Sequence, residues 1–264
     1  MSLKLTILGC GPSGGVPRVG NHWGACDPAN ARNRRRRCAL LVERAGAAGT
    51  TAVLVDTPPD LREQLLDAGV GLVDGVLFTH DHADHTHGID DLRMIAFNAQ
   101  RRVACYHDEE TGKLLHGRFA YCFESAPGSP YQPILDGREI MAGAGVRIDG
   151  AGGEIEAMPF RQMHAGGETL GFRFGDIAYS PDVSDLPEES VALLQGLDVW
   201  IVDALRYTPH PSHFSVEQAL AWIARVKPKR AILTHMHLDL DYATLARALP
   251  DGVEPAYDGM VIEG

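Results

Sequence analysis

The sequence is poor in cysteine, lacks any long apolar run and is short of positive charge. Its five cysteines (Cys10, Cys26, Cys38, Cys105, Cys122) are odd in number, sparse and never spaced as CxxC. A disulfide-built scaffold and a cysteine-based zinc site are thereby excluded as organising principles. No segment approaches the roughly 20 apolar residues of a membrane-spanning helix, and the opening residues carry no secretory-type apolar stretch. The expectation is a cytoplasmic chain with no membrane partner. Lys and Arg number 24 against 35 Asp and Glu, a net charge of −11, which disfavours a global electrostatic grip on nucleic acid. No repeat, low-complexity tract or true linker breaks the 264 residues, so one domain over 1–264 is expected.

What the chain has in quantity is histidine, twelve in all and several of them clustered, a density that points towards metal. Hydrophobic periodicity predicts strands at 4–9, 38–43, 52–57, 75–79, 103–106, 154–159, 170–174, 177–180, 199–203 and 231–234. It predicts helices at 59–68, 89–98, 109–115, 188–195, 215–226 and 242–249. The small residues 45–50 read as a hairpin turn, and Ser215 with Gln218 as a capping box. Early strands that look antiparallel, followed by strands alternating with helices, predict a layered α/β fold.

One segment dominates: Thr79-His80-Asp81-His82-Ala83-Asp84-His85-Thr86-His87-Gly88, directly after the apolar Val76-Leu77-Phe78. His80 and His82 are two apart, so in extended backbone they point the same way. Asp84 and His85 are adjacent at a helix start, so their side chains diverge. Four ligand-type residues on such a turn suit two neighbouring cations better than one, and imidazole with carboxylate suits zinc, manganese or iron. The plain alternative, a solvated helix entry, leaves these groups to repel or titrate with no cation between them.

The His80-x-His82-x-Asp84-His85 run resembles the signature of the metallo-β-lactamase superfamily, and the resemblance extends over nearly the whole chain. It implies a four-layer αβ/βα sandwich with metals at one edge. His164 (in Arg161-Gln162-Met163-His164), Asp182 (in Ala178-Tyr179-Ser180-Pro181-Asp182) and His235 (in Ile232-Leu233-Thr234-His235) match the later ligands. The implied cofactors are two divalent metal ions, zinc or manganese. His80, His82 and His164 would hold one, Asp84, His85 and His235 the other, and Asp182 would bridge. Asp56, ending Val53-Leu54-Val55, is expected to accept the second ring N–H of a metal-bound histidine; its plain reading is a strand-ending Asp. His87 is expected to support or face solvent rather than ligate.

His82 separates the chain from the diiron oxygen-reducing branch, which carries glutamate there. Gly9, Gly11 and Gly14 form a GxGxxG frame, but Pro12 and Pro17 interrupt it and no helix follows, so a dinucleotide site is excluded. This loop instead resembles two phosphodiesterase branches, the tRNA 3′-end processing ribonucleases and the cyclic phosphate phosphodiesterases of the carbon–phosphorus lyase pathway. Arg37–Val42, Tyr257–Met260 and Pro211-Ser212-His213-Phe214 favour the second. The resemblance implies an enzyme opening phosphoribosyl cyclic phosphate or a nucleotide-like relative, with Asp182 and His213 as catalytic residues and His213 protonating the departing alkoxide. His210 is the rival donor; Arg206, Tyr207 and His210 are expected substrate contacts. Thioester or lactone hydrolysis, RNA 3′-end cleavage and metal-dependent binding without turnover are the alternatives.

The chain departs from that branch at its structural zinc site: only Cys26 stands in the stretch with Asn21, His22 and Trp23, and Leu238 replaces an expected histidine. No structural zinc is therefore expected. The run Arg32–Arg37, five arginines around Asn33, is expected to be mostly solvated with one arginine at the site. Trp23 is expected to wall the pocket or fill core. The expected partners are a small phosphorylated substrate and a second copy of the chain.

Overall fold

A computed structural model describes residues 3–264. The first sheet is built from β1 (Leu3–Gly9), β2 (Ala39–Gly46), β3 (Gly49–Val55), β4 (Gly75–Leu77), β5 (Val103–His107) and β6 (Leu135–Glu139). The second follows as β7 (Val146–Ile148), β8 (Ile155–His164), β9 (Gly167–Phe174), β10 (Ile177–Ser180), β11 (Val199–Asp203), β12 (Arg230–Thr234) and β13 (Val253–Pro255), while β14 (Met260–Glu263) returns to pair with β1. The spatial orders are β14-β1-β2-β3-β4-β5-β6 and β13-β12-β11-β10-β9-β8-β7. In each sheet one half is antiparallel and the other, β3-β4-β5-β6 or β13-β12-β11-β10, is parallel.

Strand alternation sets the layers. On β1, β2 and β3, Leu5, Ile7, Leu40, Val42, Val53 and Val55 face the core shared with the second sheet. Their neighbours Leu8, Ala39, Leu41, Ala52 and Leu54 face outwards, as period-two geometry requires. The outer face is covered by α1 (Leu61–Ala68), α3 (Leu92–Ala99) and α4 (Glu109–Phe123), with α2 (Ala83–Thr86) between α1 and α3 in the chain. Three helices cover the second sheet: α5 (Glu188–Leu193), α6 (Val216–Val226) and α7 (Tyr242–Ala248). This is the four-layer αβ/βα sandwich. Trp200 is fully buried within it and donates its indole N–H to Ser180 Oγ at 3.1 Å. Among the described residues no helix is long and apolar enough to cross a membrane.

Several expected boundaries shift. Strands β2 and β3 extend to Gly46 and Gly49, tightening the expected turn. The helix expected at 109–115 continues to Phe123 through a non-helical Phe119 (φ −125°, ψ 34°). The strands β6 and β7 were not legible: β6 exposes four of its five residues and β7 has only three, too little apolar pattern to read. The capping box on α6 forms as expected, Ser215 Oγ accepting from Gln218 N and Gln218 Oε1 from Ser215 N.

Loops leaving the C-terminal ends of parallel strands, where α/β sheets expose their crevices, carry the functional side chains. Asp56 follows β3, the His80–His85 segment follows β4, and Asp182, Asp203 and His235 follow or end β10, β11 and β12. Gly88 closes the first of these loops. Its N–H donates to Thr57 O at 2.8 Å, and a Cβ there would lie 2.0 Å from Pro58 O. Gly88→Ala should therefore cost about 2 kcal/mol through forced backbone displacement. Denaturant midpoints should show that loss against Gly117→Ala, whose added Cβ meets nothing within 4 Å.

Candidate metal centre

Two groups of ligand atoms converge at this edge. Asp182 belongs to both, joining His80, His82 and His164 in one and Asp84, His85 and His235 in the other, with the ligand atoms of each group within 4.8 Å of one another. The two oxygens of Asp182 divide the work. Oδ1 lies 3.0 Å from His85 Nε2 and 3.3 Å from His235 Nε2, while Oδ2 lies 3.6 Å from His164 Nε2 and 3.9 Å from His80 Nε2. His164 Nε2 and His82 Nδ1 are 3.2 Å apart.

Three of the five imidazoles, those of His80, His85 and His164, are steered from behind. His85 donates Nδ1–H to Asp56 at 2.7 Å, and Asp56 also accepts from the Thr79 amide and hydroxyl at 2.8 Å each. His164 donates Nδ1–H to Ser212 O at 2.7 Å, and His80 Nδ1 pairs with the Thr79 hydroxyl at 2.9 Å. With one nitrogen held, the other is aimed inwards. Asp56 and His235 both sit in left-handed backbone, at φ 66° and 57°, uncommon for residues with a Cβ and a mark of local over-determination.

The residues fit divalent cations. His80 Nε2, His85 Nε2, His235 Nε2 and Asp182 Oδ1 are buried with no hydrogen-bond partner. Buried polar atoms in that state are costly, and convergent lone pairs from imidazole and carboxylate are the donors zinc or manganese takes. The electrostatics are divided. Burial drives the His80 and His164 imidazoles below their ordinary range, His164 to about 4. Burial also opposes charge on His85, but Asp182, Asp56 and Asp84 outweigh it and raise its pKa. Burial would raise Asp182, yet His235 and His85 hold it well below the usual carboxylate range.

A third group holds one residue that sequence reasoning missed, Asp203, beside the expected His213 and His235. His213 donates Nδ1–H to Asp203 Oδ2 at 2.8 Å, leaving Nε2 free, and its ring stacks on His235 at 4.6 Å between centroids. The signal was present: Asp203 ends the apolar Val199-Trp200-Ile201-Val202 as Asp56 ends Val53-Leu54-Val55. Burial raises the Asp203 carboxyl well above its ordinary value. His210 lies 5.1 Å from the His213 ring, its Nδ1 accepting from Ser212 N. Arg206 donates to Thr208 O and Pro209 O of its own loop, and Tyr207 is exposed. Hence neither has a contact with the ligand groups among its hydrogen bonds.

The arginine run corrects one expectation. Arg36 pairs with Asp67 and Asp258, and Arg37 with Asp60, but Arg35 is 1% exposed. Its guanidinium donates to Leu240 O (2.6 Å), His237 O (3.1 Å) and Met236 O (3.4 Å), gripping the segment immediately after His235. Arg34 lies over the Trp23 ring at 5.5 Å, so Trp23 stacks on a cation and stays part-exposed. Cys26 donates its thiol to Leu238 O and Leu240 O, while His237 contacts Arg18 and Asp239. His22, Cys26 and His237 form no ligand group among the described residues.

A four-layer sandwich with a histidine and aspartate centre at one edge is the architecture of metallo-β-lactamase-type hydrolases. The family model described as a beta-lactamase superfamily domain matches residues 51–236, and the chain belongs to that superfamily. It is similar over its full length to a solved protein described as a new diphosphatase from the PhnP family, with TM-score 0.89 and 33% identity across 100% of this chain and 98% of that one. It is 32% identical over 98% of its length to an octanoyltransferase of Porphyromonas gingivalis, but spans only 51%, about half, of that relative. The Zn(2+)-bound PqqB of Methylobacterium extorquens shares the fold, with TM-score 0.72 and 18% identity over 98% of this chain and 99% of that one.

Two variants test this arrangement. Asp56→Asn should weaken metal affinity about 10- to 100-fold in chelator competition while circular dichroism stays native. Arg35→Met strips three buried carbonyls of their donor and should destabilise the chain by on the order of 3 kcal/mol, read as a lower denaturant midpoint.

Proposed function

We propose that the chain is a metal-dependent phosphoric diester hydrolase that opens a small cyclic phosphate, phosphoribosyl or nucleotide-like. The observation carrying this reading is the Asp203–His213 pair set against the ligand group, since a held imidazole with one free nitrogen suits an alkoxide leaving group. The likeness to a protein described as a diphosphatase supports phosphoryl chemistry. Two divalent ions, held by His80, His82 and His164 with Asp182 and by Asp84, His85 and His235 with Asp182, would supply Lewis acidity towards phosphoryl oxygens and an acidified attacking water.

The protein's own groups do the rest. Asp182 spans both ligand groups and fixes their spacing. Asp56 and Ser212 O hold the tautomers of His85 and His164. Asp203 accepts a hydrogen bond from His213 Nδ1–H, so Nε2 is the nitrogen free to carry a proton to the departing oxygen. Burial lowers the His213 pKa, which makes its imidazolium a stronger acid. His210 is placed to support His213 rather than replace it, because its Nδ1 is committed to the Ser212 amide. Acyl ester or thioester hydrolysis is the second reading, favoured by the name of the Porphyromonas gingivalis relative.

The test is turnover on a panel of cyclic and linear phosphodiesters after chelator stripping and reloading with zinc or manganese. Metal-dependent opening of a cyclic phosphate is expected. His213→Ala should lower kcat about 100- to 1,000-fold for an alkoxide leaving group and far less for p-nitrophenolate, which needs no proton. Equal losses for both leaving groups would remove His213 from the acid role. Inertness on every diester would move the assignment to acyl substrates.

A further inference from the structure

A second pair of convergent imidazoles lies outside the centre, between α4 and the edge of the first sheet. His107 ends β5 and is only 7% exposed. It donates Nδ1–H to Asp108 O at 3.0 Å, so Nε2 carries the lone pair, yet Nε2 is buried with no hydrogen-bond partner. A buried acceptor in that state is costly. His116 approaches from α4, its ring stacked on Phe123 at 4.0 Å between centroids. The two imidazole centroids are 6.2 Å apart, with 78° between the ring planes.

Two glycines make room for this pair. A Cβ on Gly112 would lie 2.3 Å from the His107 ring, so α4 approaches the strand closely there. A Cβ on Gly137 of β6 would lie 3.1 Å from His116 Nε2 and 3.2 Å from His107 Nε2. Both nitrogens therefore border one pit above Gly137, and Gly137 itself is exposed. The next residue on that face of β6 is Glu139, the register partner of His107. Its side chain is exposed, and its charge reaches α4, where it adds to Glu109 and Glu110 in raising the Lys113 pKa. An exposed carboxylate at this place is free to turn into the pit.

We propose that His107 and His116 bind a transition-metal ion separate from the centre, with the Glu139 carboxylate as third ligand and water completing the shell. Two imidazoles and a carboxylate are donors that zinc takes, and a chain of net charge −11 draws cations towards it. An ion here joins β5, α4 and β6, and β6 is the edge strand of its sheet. It also steadies the residues of α4 that follow His116. Arg118 donates to the Asp81 carbonyl at 2.6 Å and to its carboxylate at 2.7 Å, between the ligands His80 and His82. The Phe119 ring meets His87 edge-on at 5.5 Å between centroids. The ion is thus a brace for the helix beside the centre, whichever ester the centre hydrolyses.

The experiment starts from protein whose centre has been loaded with zinc and freed of excess ion. Further zinc is titrated in and followed by calorimetry and by histidine-ring 15N spectra. The wild type should take up one further equivalent, moving the Nε2 signals of His107 and His116 and raising the thermal midpoint. His116→Ala, at a part-exposed position, should lose that equivalent while keeping the central ions and a native circular dichroism spectrum. His107→Gln should lose it as well. Glu139→Gln should weaken it about tenfold, and His22→Ala, an exposed histidine elsewhere, should leave it unaltered. A wild type that binds no further zinc overturns the proposal. So does an equivalent that survives His116→Ala, or one that leaves the His107 and His116 signals unmoved. Unaltered affinity in Glu139→Gln overturns the part given to the carboxylate.

Discussion

The carboxylate of Asp182 cannot satisfy its neighbours alone. Four imidazole nitrogens lie within 3.0–3.9 Å of its two oxygens, and the region is buried almost completely. No distribution of protons serves all of them: burial drives His80 and His164 towards neutrality while carboxylates hold His85 charged. Divalent cations resolve this conflict by giving every lone pair a partner at once. Much of the surrounding structure exists to tolerate the conflict in one fixed geometry.

That tolerance is built from acids and a base placed one layer out. Asp56 and Asp203 perform the same task in opposite sheets. Each ends an apolar strand, is fully buried and accepts the Nδ1–H hydrogen bond of a histidine at the centre. Arg35 secures the third side by gripping carbonyls rather than side chains, and Arg118 secures the loop between His80 and His82. A buried guanidinium is ordinarily a liability. Here it acts as a crosslink for a segment, 236–240, that has no regular hydrogen-bond ladder of its own.

The sequence was most legible where chemistry is local. The His80–His85 motif has its ligand types within six positions, and the family resemblance placed His164, Asp182 and His235 at strand ends where the structure also puts them. The layered fold was readable because β2, β3 and β11 are apolar and the α6 cap is explicit. What could not be read depends on distance in space. Asp203 and His213 are ten positions apart and meet only because the loop after β11 folds back. Arg35 looks like its four neighbours in the run; only burial against residues 236–240, two hundred positions away, tells it apart. Phe119 sits in an otherwise helical stretch, so no periodicity could announce its turn towards His87.

Neither ligand group is contributed by one half of the chain. His80, His82, Asp84 and His85 come with the first sheet, and His164, Asp182 and His235 with the second. During synthesis the histidine motif therefore emerges well before its complement. His235 follows His85 by 150 residues, about 10–30 s at ribosomal rates. Until then the nascent chain carries an incomplete chelating turn with weak hold on any ion. Tight capture needs both sheets docked, so a metal would enter late in assembly and report that the two sheets have met.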